Sequence, residues 1–376
     1  MKIAILTLPF HSNYGGILQA YALQTVLQSL GHEVVIVDVD KFYHRSWLRQ
    51  QVALVAYLVR KFFLRQDTVY VNLWKRDRKK RLKETRMRKF IDTHMNILKV
   101  RDLRRDFPRN IDAVIVGSDQ VWRNKYFSWS FNCGIENAYL AFLEGESIKR
   151  IAYAASFGTE EWEYTREETQ RCAELLTLFD AVSVRESSAI DLCREKLGRS
   201  DVVRMPDPTL LLSPGDYRKL FERNKTQGAA PYLLYYVLDE TPEVKSMAEK
   251  IARDHGLVLR PIVGDQETIV MRKGNVPIED WLCGISEAEF VFTDSFHACV
   301  FSIIFRRRFL VVGNENRGLA RFQSLLSTFG LEKNMITSLT GNDSHDDYSL
   351  PESIFEVLEA EQTKAMFFLQ KYLNGN

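Results

Sequence analysis

Asp294-Ser295-Phe296-His297 stands between an apolar run, Phe290-Val291-Phe292-Thr293, and a helical stretch from Ser295 to Phe305. Asp294 or Ser295 can cap that helix. His297 then falls in its first turn, near the positive end of the helix dipole, where an imidazolium is disfavoured. Such a ring suits a poised acid/base or a donor to an anion. Arg185 closes the apolar run Ala181-Val182-Ser183-Val184. It reads either as an ion-pair partner of Glu186 or Asp207, or as a planar fork for a carboxylate or phosphate. Arg317 and Arg321 are four apart and would share one face of a helix beginning near Arg317, a face either solvated or turned to a ligand. Three arginines at strand ends fit a small dianion or trianion. Gly117-Ser118-Asp119-Gln120-Val121-Trp122 also follows an apolar run. It reads as a sugar site, with carboxylate, amide and indole to grip and stack, or as a helix cap followed by a core tryptophan.

The elements that must position these groups repeat along the chain. Lys2-Ile3-Ala4-Ile5-Leu6 is a strand, Asn13-Tyr14-Gly15-Gly16 a glycine turn, and Ile17 to Leu27 a helical pattern. Glu33 to Asp38 is the next strand, which completes a βαβ unit. Glycines at the carboxyl end of a strand let backbone N–H groups approach a ligand, and the following helix N-terminus favours an anion. The pattern is not the G-x-G-x-x-G of dinucleotide folds. Further strands read at 113–116, 150–155, 181–184 and 202–204, each ending in polar or small residues, as a parallel sheet with its site on one edge requires. A second series follows: strand 232–238, helix 242–255, strands 257–262, 290–293 and 309–312, and a C-terminal helix from 351 to 373. The expectation is an α/β protein of two lobes with an interlobe cleft. The first lobe spans 1–217, a surface linker 218–230, the second lobe 231–350, and a closing C-terminal helix 351–376. Clefts between lobes are favoured small-molecule sites.

A chain of 376 residues with 45% hydrophobic and 27% charged content suits two globular domains. A net charge of +2 gives no global reason to expect nucleic acid. The five cysteines are scattered, with no C-x-x-C pair, so neither a disulfide framework nor a metal site is expected. No signal sequence is expected ahead of a strand beginning at residue 2, and no apolar run reaches membrane-spanning length. A cytoplasmic protein is expected. Residues 41–110 interrupt the α/β rhythm as a helical excursion. Trp47 to Leu64 is apolar, aromatic and basic, and Lys75 to Lys89 carries ten Lys or Arg against Asp77 and Glu84. This region reads as a solvated helical cover of the first lobe. Read otherwise, residues 47–89 are an interfacial contact with anionic lipid, placing the protein at the inner face of the membrane.

Taken in order, these motifs resemble the polysaccharide pyruvyl transferase family. The matching stretches are Asn13 to Leu23, Val116 to Trp122, Val182 to Glu186, Asp207-Pro208-Thr209 and Thr293 to His297. The resemblance implies two Rossmann-like lobes similar to the GT-B glycosyltransferases. It implies transfer of a pyruvyl group from phosphoenolpyruvate to a sugar or lipid-linked oligosaccharide, as a cyclic ketal on two hydroxyls. Phosphoenolpyruvate is then the co-substrate, and no cofactor or metal is implied. His297 matches the family's catalytic acid/base, and Arg185 an arginine that holds the donor. Ser295 stands where the family has the arginine of Arg-Leu-His, and Gly16 where an aspartate often follows the glycine turn. Arg317 or Arg321 is expected to supply the missing charge beside Ser295, and Asp119 the missing catalytic carboxylate. Asn13, Tyr14, Gly15, Gly16, Ser118, Gln120 and Trp122 are the expected acceptor side. Two other readings share the fold: a GT-B glycosyltransferase using a nucleotide sugar, and a non-catalytic carbohydrate-binding relative.

Overall fold

The computed structural model describes residues 1–10, 13–39, 87–222, 230–262, 276–313, 318–337 and 348–374, with residues 51, 52, 54, 55, 57 and 61 besides. Arg317, most of 47–89 and residues 223–229 of the expected linker lie outside the described residues.

The apolar runs build two separate parallel sheets. The first has the order β3-β2-β1-β4-β5-β6-β7. Its strands are β1 (Lys2–Leu6), β2 (Glu33–Val39), β3 (Ile97–Val100), β4 (Ala113–Val116), β5 (Lys149–Ala155), β6 (Ala181–Val184) and β7 (Val203–Arg204). Ile3, Ala4, Ile5 and Leu6 are wholly buried, because helices cover both faces of a parallel sheet. The second sheet has the order β12-β11-β10-β8-β9. It comprises β8 (Tyr232–Tyr236), β9 (Val258–Pro261), β10 (Phe290–Thr293), β11 (Arg308–Val312) and β12 (Met335–Ile336). In each sheet the strand order reverses once, between β1 and β4 in the first and between β8 and β10 in the second. Ligands of open α/β sheets bind outside the carboxyl ends of the strands at such reversals.

Helix α1 (Tyr14–Ser29) starts earlier than its apolar pattern suggests. Asn13 is its extended N-cap residue, and Ile17 N donates to the Asn13 carbonyl at 3.1 Å. Gly15 and Gly16 are therefore the first turn of a helix rather than a free turn before it. Gln19 on the next turn ties the β1 and β4 loops together: its Nε2 donates to Thr7 Oγ1 and to the Gly16 carbonyl, both at 2.9 Å. Thr7 Oγ1 in turn donates to the Ser118 carbonyl at 3.0 Å.

The expected linker also begins later than its composition implies. Residues 218–221 belong to a helix, Pro214–Phe221, started by a capping box between Ser213 and Asp216. Its buried Tyr217 and Phe221 pack edge-on against Phe305 of the second lobe. The C-terminal helix (Ile354–Asn374) spans both lobes. Phe355 lies under the Arg306 guanidinium at 3.4 Å, Glu361 pairs with Arg204 at 2.6 Å, and Lys149 Nζ donates to the Tyr372 carbonyl at 2.8 Å. No helix among the described residues is long and apolar enough to cross a membrane.

Candidate active site

A cavity of about 390 Å³ lies where the two strand-order reversals face each other. The first lobe contributes Leu8 to Phe10 after β1, Asn13 to Gly16 of α1, Asp119 and Gln120 after β4, and Tyr126, Trp129 and Ser130. The second lobe contributes Tyr236 and Leu238 at the end of β8, Asp294 to His297 after β10, and Arg321 and Phe322. The lobes meet along this seam. Tyr14 stacks on Trp281 at 5.1 Å, and its hydroxyl donates to the Val276 carbonyl at 2.8 Å.

His297 is the second residue of the helix Phe296–Ile304, whose N-cap is Ser295; the Ser295 hydroxyl accepts from Ala298 N at 3.5 Å. The imidazole lies across Gly15: a Cβ there would stand 1.8 Å from His297 Nδ1. Glycine at 15 is thus required by a ring from the other lobe. His297 Nε2 is buried and faces Asp207 Oδ2 at 3.5 Å, an ion-pair distance longer than a formed hydrogen bond. Nδ1 lies over Gly15, and the residue lines the cavity.

Asp207 is the hub beneath the histidine. Its Oδ2 accepts from Arg185 Nη1 at 2.8 Å and Ser118 Oγ at 3.1 Å. Its Oδ1 accepts from the backbone and hydroxyl of Thr209 at 3.1 and 2.7 Å. Burial by itself would raise the carboxyl pKa. The neighbouring His297, Arg185 and Thr209 outweigh burial and hold it well below the usual carboxylate range. Asp207 is therefore ionised. Nε and Nη2 of Arg185 find no hydrogen-bond partner among the described residues.

Phe296 carries two guanidinium groups near its ring, Arg185 at 4.7 Å and Arg321 at 5.3 Å from the centroid. Arg321 belongs to the helix Ala320–Phe329. Its pKa is pulled down to about 10 by burial and by the like charge of Arg185. The negative charge of a dianion in the cavity would offset both effects.

On the first-lobe wall, Asp119 adopts the left-handed region with φ of 74°, a strained conformation for a residue with a side chain. Its Oδ1 accepts from Gln120 N at 2.9 Å, and its Oδ2 from Asn13 Nδ2 at 3.3 Å. A Cβ at Gly16 would lie 2.8 Å from Asn13 Nδ2 and 3.2 Å from that Oδ2, so the missing side chain makes room for the Asn13–Asp119 pair. Among the described residues, no three His, Cys, Asp or Glu side chains converge as a metal site needs.

Of the residues singled out by sequence, His297, Ser295, Arg321, Asp119, Gln120, Asn13, Tyr14, Gly15 and Gly16 line the one cavity. Arg185 and Ser118 sit behind it, both bonded to Asp207. Trp122 is wholly buried and stacks on Tyr139 at 5.0 Å, which is the core-tryptophan alternative. Sequence reasoning missed Asp207 as the partner of His297, although Asp207-Pro208-Thr209 stood out as a motif. It also missed Tyr126 and Trp129, whose i, i+3 spacing was the available signal.

The family profile for polysaccharide pyruvyl transferase matches residues 13–316. No curated protein shows significant similarity to the chain. Among solved structures, the chain resembles UDP-GlcNAc 2-epimerase from Neisseria meningitidis bound to UDP-GlcNAc, at 10% identity and a TM-score of 0.49, over 97% of this chain and 94% of that one. It also resembles UDP-GlcNAc 2-epimerase from Methanocaldococcus jannaschii, at 12% identity and a TM-score of 0.46, over 96% and 93%. At these scores the two-lobed reading rests on this chain's own strand orders. The profile match runs from the first turn of α1 through the β4 loop and the Asp207 hub to the His297 helix, and the chain belongs to the polysaccharide pyruvyl transferase family.

Proposed function

We propose that this transferase moves a pyruvyl group from phosphoenolpyruvate to two hydroxyls of a sugar, releasing phosphate and closing a ketal. The observation that carries the reading is His297 opening into a cavity that also holds Arg321, with the Asp207–Arg185 pair directly behind the ring. A buried histidine that faces a carboxylate and lines a cavity is suited to pass a proton. The Arg321 guanidinium on the cavity wall, with the charge of Arg185 behind it, suits an anionic ligand.

His297 donates a proton to the methylene carbon of phosphoenolpyruvate. The π electrons form the new C–H bond and leave an oxocarbenium-like centre at the adjacent carbon. One sugar hydroxyl attacks that carbon, and its proton returns to His297. Phosphate leaves with the C–O bonding pair, and the second hydroxyl closes the ring. The second hydroxyl proton leaves through Asp119 and ends on the departing phosphate. Arg321, with the charge of Arg185 behind it, offsets the anionic groups throughout. Ser295 completes the described donor side. Asp119, in the space left by Gly16, stands in for the carboxylate that relatives carry after the glycine turn.

The test is phosphate release from phosphoenolpyruvate coupled one to one to ketal formation. His297→Ala should lower turnover by roughly 10²–10⁴ with the fold intact. Near-normal turnover of that variant would remove His297 from the chemistry.

A further inference from the structure

The outer wall of the cavity on the first-lobe side is the helix Asn124–Phe131. It carries aromatics on two faces. Phe127 and Phe131 stack at 4.3 Å and point into the core. Tyr126 and Trp129, three residues apart, face the cavity, and Trp129 is 68% exposed. An indole this open is unremarkable when alone on a surface. Here it forms the lip of a cavity that holds a histidine, a carboxylate and an arginine.

The neighbouring ring is held in place. The Arg123 guanidinium sits 5.0 Å from the Tyr126 centroid, and Lys125 Nζ 5.7 Å. Arg123 is fixed by Glu163 at 3.2 Å and by Gln120 Oε1 at 3.0 Å. Gln120 itself stands where a Cβ on Gly158 would reach, 2.0 Å from Oε1, so a glycine of positive φ makes room for the network. Tyr126 is thus positioned before any ligand arrives, and Asp119, Asn13 and Ser130 supply polar groups beside it.

A flat apolar ring bordered by a carboxylate, an amide and a hydroxyl is the chemistry that takes a pyranose. The C–H face of the sugar lies on the aromatic, and its hydroxyls reach the polar rim. Phosphoenolpyruvate has no such face and is recognised by charge. Trp122, the tryptophan of the Gly-Ser-Asp-Gln-Val-Trp stretch, is locked in the core and cannot serve. We infer that Trp129, with Tyr126, is the stacking platform for a pyranose ring of the acceptor, and that Asp119 grips its hydroxyl pair. The inference rests on the pyruvyl-transfer reading for calling that sugar the acceptor.

The test uses the full chain and three probes: methyl β-D-glucopyranoside, methyl β-D-galactopyranoside and methyl N-acetyl-β-D-glucosaminide. Saturation-transfer NMR should show ring C–H protons of at least one probe in contact with the protein. Trp129→Ala should weaken that probe's Kd by about 10-fold or more, and Trp129→Phe should restore most of it. Phosphoenolpyruvate affinity, read by calorimetry, should stay within about twofold in both variants. Sugar binding that ignores Trp129→Ala, or no contact with any probe, overturns the platform. Trp129-dependent sugar binding without any phosphoenolpyruvate binding leaves the platform standing and overturns the pyruvyl-transfer reading instead.

Discussion

Asp207 sits between Arg185 and His297, and removing its charge should be felt in both stability and chemistry. Its carboxyl is held well below the ordinary range, so it is ionised in the fold at every ordinary pH. The sign follows from linkage. A carboxyl whose folded pKa is depressed adds stability that is fully present above its unfolded value of about 3.9. That stability is lost as pH falls through the lower folded value. Asp207→Asn strands the buried Arg185 and should cost about 3–5 kcal/mol at pH 7. Below about pH 4 the gap between wild type and variant should narrow. Urea denaturation at pH 7 and pH 3 checks this, and equal stability at pH 7 would contradict it. At this scale the sequence made His297 legible through its place at a helix start. It left Arg185 between an acid partner and a ligand fork, and geometry selects the acid. The Asp207–His297 pairing was hidden because 90 residues and a lobe boundary separate the two.

Apart from Trp129, the functional groups stand near the carboxyl end of a strand or in the first turn of a helix, so element boundaries matter more here than element centres. Most strand positions were readable because buried parallel strands are continuous apolar runs; β3 was not, since Ile97–Val100 is mostly half-buried and lies in the 41–110 stretch read as a helical excursion. The start of α1 was not, since Gly15 and Gly16 have poor helix propensity and look like a turn. They are glycines because His297 and the Asn13–Asp119 pair occupy the space a side chain would take. Gly15→Ala tests this directly. Alanine favours a helix by up to about 1 kcal/mol over glycine, so the helix itself gains. The imidazole, however, must move aside. Turnover should fall by about 100-fold, the scale of a 1 Å misplacement, with the melting temperature nearly unchanged. Normal turnover in Gly15→Ala would mean the ring position over α1 is unimportant. The linker was misread for a similar reason. Ser213-Pro214-Gly215-Asp216 is a helix-start signal, but the polar run after it masked the two buried aromatics.

The two lobes close on one another through His297 over Gly15, Tyr14 on Trp281, and Gly318 against Gly158. A Cβ at Gly318 would stand 1.9 Å from the Gly158 carbonyl oxygen. The two series of strands, and with them the two-lobed plan, were legible in the succession of apolar runs; the order of strands within each sheet was not. Which loops met across the cleft did not, because lobe packing is set by contacts distant in sequence. For the basic stretch 75–89 we propose attraction to an anionic membrane, motivated by ten Lys or Arg against two acids. Each could add about 1 kcal/mol. Vesicles containing anionic lipid should co-sediment the protein at low salt and release it at high salt; no binding to either anionic or neutral vesicles would leave a solvated cover. The central claim, a donor site for phosphoenolpyruvate beside His297 and Arg321, is tested most directly by calorimetric titration of the full chain with phosphoenolpyruvate, UDP and GDP. Saturable binding of phosphoenolpyruvate, weakened at least 10-fold in Arg321→Ala, with no heat from either nucleotide, is the expected result. Binding of UDP or GDP without binding of phosphoenolpyruvate would contradict it.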